Sequence, residues 1–202
     1  MRAGLIAGVL ALVMLQSLGC NGVVEAPSPR AEPTEPSAPG VESGPMALAD
    51  LQAFNDIIIR SGELAHERGN TESVRDYGRM LVSDHHLVEE WVEQVATEAN
   101  YDLDAFEERA EENVEPMRSG LQQLEDLEDA AFTRQFLTAM EQWHETMLED
   151  LSQQLPQIRN ESARELVARI QPILQEHEER ADKLLMLQQE EAPRVGRFGR
   201  GR

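Results

Sequence analysis

Three histidines, His85, His144 and His177, each fall inside the apolar stripe of a different expected helix. An imidazole among Leu, Val and Met needs a partner, because a buried polar group with neither a hydrogen bond nor a metal is costly. Three such rings converging from separate helices are how a bundle builds a metal or cofactor pocket. Neutral imidazole with mixed oxygen ligands suits iron, zinc, copper or nickel better than calcium or magnesium. Two carboxylates lie nearby in the chain: Asp84 directly precedes His85, and Glu141 stands three residues before His144 on the same helix face. The candidate metal set is therefore His85, His144 and His177, with Glu141 or Asp84 in direct or outer support. The same rings have a purely structural reading. Each can hydrogen-bond to an acid such as Asp84, Glu141 or Glu176 in a buried polar network.

Other chemistry is thinner. Glu63 with His66 repeats the Glu-x-x-His spacing, but it falls near a helix end where a solvated face is the simpler expectation. His86 falls beside the stripe, as a boundary residue. A di-iron oxidase needs about four carboxylates arranged with two histidines, and the chain does not clearly supply them. Paired histidines leave haem ligation open, but with one cysteine there is no Cys-x-x-Cys-His attachment motif. No serine sits in a strand-to-helix elbow. Met80, Met140, Met147 and Met186 recur at helical spacing and read as core filler. A non-catalytic role is the expectation.

Four helices must carry these residues, since apolar side chains recur every three or four positions and no segment reads as a strand. The first runs from about Ala47 to Arg68, with Leu51, Phe54, Ile58 and Ala65 on one side. The second starts near Thr71 and carries Val74, Tyr77, Leu81, His85, Val88, Trp91 and Val95. The third, about Asp129 to Leu155, carries Phe132, Phe136, Met140, His144, Met147 and Leu151. The fourth, about Glu161 to Gln189, carries Leu166, Ile170, Leu174, His177, Ala181 and Leu184. Pro172 interrupts it, and a kink one turn before His177 is expected. The segment Tyr101–Glu128 joins the second helix to the third, and its Met117, Leu121 and Leu124 suggest a short helix across one end. Two hairpins joined by a long crossover make an all-α, ferritin-like four-helix bundle. Aromatics are only 4% of the chain, so Leu, Val, Ile and Met are expected to fill the core.

The N-terminus gives an address. Arg2, the apolar run Leu5–Leu15 and Leu18-Gly19-Cys20 read as a lipoprotein-type signal over residues 1–19, with Cys20 as the acylated residue. The run is too short for a comfortable membrane span of about 20 residues. Acylation would also remove the single thiol, a liability in an oxidising envelope. Residues 20–45, with six prolines after Cys20, form an extended tether. The bundle domain is 46–192, and 193–202 is a basic tail, PRVGRFGRGR, expected to be solvated. The expected location is the bacterial cell envelope, anchored through Cys20 on the periplasmic face of the outer membrane.

Charge narrows the partners. The chain carries −20; the signal (+1), tether (−3) and tail (+4) leave −22 on the bundle domain. Nucleic acid is not an expected partner, because its binding rests on Lys and Arg neutralising phosphates. A solvated, self-repelling helical surface accounts for the acids.

Three segments carry a family resemblance: VRDYGRMLVSDH over 74–85, FTRQFLTAMEQWHETML around His144, and IQPILQEHEERADKLL with Pro172 and His177. Together they resemble the bacterial envelope family called domain of unknown function 4142, over about Leu51 to Leu187. The resemblance implies a ferritin-like bundle, export to the envelope and no established activity. It places the family's recurring histidines at His85, His144 and His177, and its acid at Asp84. Trp143 departs from it, standing where the family often has an acid. The expected function is a tethered helical-bundle lipoprotein that binds a transition metal (iron, zinc or copper) through core histidines. The alternative is a structural or stress-related interaction module of the envelope.

Overall fold

A computed structural model describes residues 43–191, save the side chain of Glu191. The segments read as an export signal and a tether, as far as residue 42 and including Cys20, and the arginine tail lie outside the described residues. Five helices fill the rest: α1 (Ser43–Arg68), α2 (Glu72–Ala99), α3 (Glu107–Glu125), α4 (Asp129–Gln154) and α5 (Glu161–Glu191). Single 3-10 turns precede α3 and follow α4, and among the described residues there is no strand. None of these helices is long and apolar enough to cross a membrane.

The ends follow local chemistry. Thr71 caps α2, its hydroxyl accepting from Val74 N at 3.3 Å. Asn100 closes α2 in the left-handed region at φ 54°, and Tyr101 N then bonds back to Ala96 O at 2.8 Å. Before α5, Asn160 Oδ1 accepts from Ala163 N at 2.9 Å. α5 runs unbroken through Pro172. Pro172 and Ala168, whose carbonyl loses its helical donor, both face solvent, so water can replace the missing bond.

Cross-links between helices set their directions. Arg109 near the start of α3 reaches Asp50 near the start of α1, and Glu125 at its end meets Arg60. α3 therefore lies along α1, parallel to it, rather than across one end as the sequence suggested. The reason is its stripe: Ala110, Val114, Met117, Leu121 and Leu124 are all buried. A stripe of 15 residues is about 22 Å long and needs a whole helix face to cover it. α4 returns antiparallel to α1, from Asn70 N on Thr133 Oγ1 at one end to Gln154 on Asp50 at the other. α5 lies antiparallel to α2, joined by Tyr77–His177 and Asn70–Gln188.

α1 is the most enclosed element, packed against α2, α3 and α4, and it buries residues on nearly every side. Its approach to α2 is close because both helices present glycine: a Cβ on Gly78 would stand 2.5 Å from Gly62 O. The α2 stripe drifts from the expected one near its end. Val92 and Ala96 are buried, while Trp91 and Val95 are only half-buried. That follows 3.6 residues per turn, of which a three-residue step falls short, so the buried face is reached by four-residue steps after Val88. The few aromatics are not spread thinly. Phe54, Tyr77, Phe132 and Phe136 are among the largest fully buried side chains.

Candidate metal centre

The helical period that hides Leu81 and Val88 also hides His85 between them, so its ring enters the core from α2. His144 enters from α4 between Met140 and Met147, and His177 from α5 between Leu174 and Ala181. The first two have no exposed surface and His177 has 1%. One ligand nitrogen from each ring lies within 4.8 Å of the other two. His85 Nε2 is 3.2 Å from His177 Nδ1 and 3.4 Å from His144 Nε2. Phe54 of α1 packs edge-on against His85 and His144, with centroids at 5.7 and 5.4 Å.

The outward nitrogen of each ring meets an oxygen. His144 Nδ1 donates to Met140 O at 2.7 Å, because a carbonyl can only accept. His177 Nε2 donates to the Asp84 carboxylate at 3.1 Å. His85 Nδ1 faces Asn55 Oδ1 at 2.8 Å and donates to it as the amide is placed. With those protons outward, the three inner nitrogens present lone pairs to one another. Outer acceptors that fix the tautomer in this way are the usual support of metal-ligating histidine.

Burial decides the charge state. Desolvation, then its neighbour His177, lowers His144 to about 3. Desolvation, then Arg180, lowers His177 to about 4. His85 is pushed well down by burial and then by the adjoining rings. All three are neutral at pH 7, so His177–Asp84 is an imidazole N–H on a carboxylate rather than an ion pair. Asp84 itself is raised by partial burial against the pull of Arg180.

Of the residues singled out from the sequence, His85, His144 and His177 come together. Asp84 stands outside the three, behind His177. Glu141 is not among the converging groups; it is half-buried and contributes to the acidic surroundings of Glu178. Residues three apart share a helix face but not a direction, and here the ring turns inward while the carboxylate does not. Glu63 and His66 are exposed on α1, apart from the centre, and exposed His86 pairs with Glu89.

Sequence reasoning missed Asn55 and the Met140 carbonyl, and placed Phe54 in the first helix's stripe without joining it to the histidines. Asn55 carried a readable signal: an amide inside the apolar run of α1, fully buried here, with Nδ2 lacking a partner. A backbone carbonyl leaves no signal in sequence.

A family model described as "Domain of unknown function (DUF4142)" matches residues 29–184. The chain belongs to that family, as the three quoted segments indicated. No curated protein and no solved structure matches the chain.

Proposed function

We propose that this chain is an envelope lipoprotein, acylated at Cys20, whose ferritin-like bundle holds one transition-metal ion between His85 Nε2, His144 Nε2 and His177 Nδ1. The observation that carries the reading is the inward convergence of three neutral imidazoles whose outer nitrogens are already held. At a metal–nitrogen bond of about 2.0–2.1 Å, tetrahedral ligands stand about 3.3 Å apart. Two of the three separations, 3.2 and 3.4 Å, match that spacing, and the third closes to within 4.8 Å. A set of three nitrogens without thiolate favours zinc or copper, with iron the weaker fit. Asp84 and Asn55 are outer supports, orienting His177 and His85. The ferritin-like description rests on the helix directions: α1 and α5 run one way, α2 and α4 the other, with α3 as the long return between hairpins. The role is to hold or sense the ion rather than to catalyse a reaction.

One observation favours a second reading, a metal-free structural network in an envelope interaction or stress module. Asn55 Nδ2 has no partner. Turned over, the amide would donate to His85 Nδ1, and His85 Nε2 would then donate to His177 Nδ1 across the 3.2 Å gap. Elemental analysis separates the two. Full-length protein purified from cells supplied with iron, zinc and copper, without chelator, is expected to hold near-stoichiometric metal. His144→Ala and His177→Ala are expected to lose it. A well-folded protein that retains no metal after reconstitution establishes the network instead.

A further inference from the structure

An ion held by side chains with 0–1% exposure needs a route to them. Of the groups that hydrogen-bond the three rings, Asn55 and Met140 are fully buried. Asp84 alone reaches water, with 40% of its side chain exposed while Oδ2 accepts from His177. Met80 lies one turn earlier on the same face of α2. Its sulfur meets Arg180 Nη1 of α5 at 3.2 Å. Arg180 is also close enough to act electrostatically on Asp84 and His177. An exposed cation thus caps a thioether one turn from a carboxylate that is itself bonded to a buried imidazole.

Resting on the metal reading, we propose that Met80 Sδ and the Asp84 carboxylate form a transfer site for a transition-metal cation, which Arg180 occupies until the cation arrives. The guanidinium is carried on a long, exposed stem that can keep its charge in water once displaced. A cation that displaces it gains a carboxylate and a soft sulfur together, a pairing that suits copper or zinc and not calcium or magnesium. His177 is the next ligand inward, already bonded to Asp84.

Cobalt(II) is the probe, because its visible absorption on entering a nitrogen site reports loading directly. Full-length wild type is compared with Arg180→Gln, Met80→Leu and Arg169→Gln. The last removes the same charge from the same helix at a distance, where Arg169 lies 3.5 Å over the Trp91 ring. Loading is expected to quicken about tenfold in Arg180→Gln, the scale of local electrostatic steering. It should slow several-fold in Met80→Leu and stay unchanged in Arg169→Gln, with one final amplitude throughout. Equal rates in the two arginine variants, or no change in Met80→Leu, overturn the transfer site and leave the metal centre standing. No cobalt signal in folded wild type overturns the metal centre itself, and the transfer site with it.

Discussion

The outer hydrogen bond of each ring is where a single substitution speaks most directly. Asn55→Leu removes the acceptor of His85 Nδ1 and leaves a buried N–H unpaired, at a cost of roughly 1–3 kcal/mol. If His85 is a ligand, losing its orienting partner should also weaken metal affinity about 10–100-fold. A competition titration against a chromophoric chelator reads this, and unchanged affinity would remove Asn55 from the centre. Acid makes a second prediction at this scale. In the unfolded chain the three rings take up protons near pH 6.5, but in the folded core His177 waits until about 4 and His144 until about 3. Between those limits the unfolded state binds more protons, so stability of the metal-free protein falls as pH drops. The slope is about 1.4 kcal/mol per unit for each ring. Asp84, Asp56, Asp150 and Glu178, all raised in the fold chiefly by burial, act in the opposite sense. Urea midpoints from pH 7 to 4.5 should fall steadily, and a flat series would mean that the rings are not buried neutral. The histidines were legible because polar residues at core positions break the apolar pattern. Asn55 broke it too, yet beside Phe54 and Ile57 it carried no charge or metal spacing to draw the eye.

At the scale of elements, the α1–α2 crossing brings Asn55 to His85. A Cβ on Gly78 would meet two backbone atoms, Gly62 O at 2.5 Å and His66 N at 2.7 Å, and neither can move without shifting a helix. Gly78→Ala should therefore cost near the top of the roughly 1–3 kcal/mol typical of overpacking, despite alanine's better helix propensity. Gly120 makes the contrast. Its Cβ would meet a side chain, the Trp143 indole, at 2.5 Å. That ring is half-buried at the bundle's edge, so Gly120→Ala should be milder. Chemical denaturation of the two variants checks the order, and a Gly120→Ala loss equal to or above that of Gly78→Ala would refute it. Helix positions were legible from apolar period and caps, because both are local. The course of α3 was not: the stripe said that a face is covered, while the partner that covers it is a long-range choice.

The bundle domain as a whole carries −22, so its surface repels itself and the two hairpins need fastening across the crossover. One buried acid does this. Asp50, 3% exposed on α1, receives Arg109 Nη2 on both oxygens at 2.8 Å, Asn113 Nδ2 at 3.1 Å and Gln154 Nε2 at 3.0 Å. Two of those donors come from α3 and one from the last turn of α4, so a single carboxylate joins the first hairpin, the crossover and the second hairpin. In sequence Asp50 is one acid among many, and nothing local separates it from the solvated ones. Asp50→Ala leaves Asn113 without its acceptor and Arg109 with only the Met46 carbonyl at 3.0 Å, near the start of α3. The global cost should be about 2 kcal/mol or more, since one partner of a largely buried pair is removed. The distribution of that loss is the sharper test. α3 is held otherwise by a single apolar stripe, by Arg109 on the Met46 carbonyl and by exposed pairs at its far end, so it should open before the four long helices do. Amide hydrogen exchange should show α3 losing protection by more than α1 or α4, with the His85–His144–His177 core still protected. Uniform loss across all five helices would mean that the crossover is not a separable layer, and that Asp50 stabilises the bundle only as a whole.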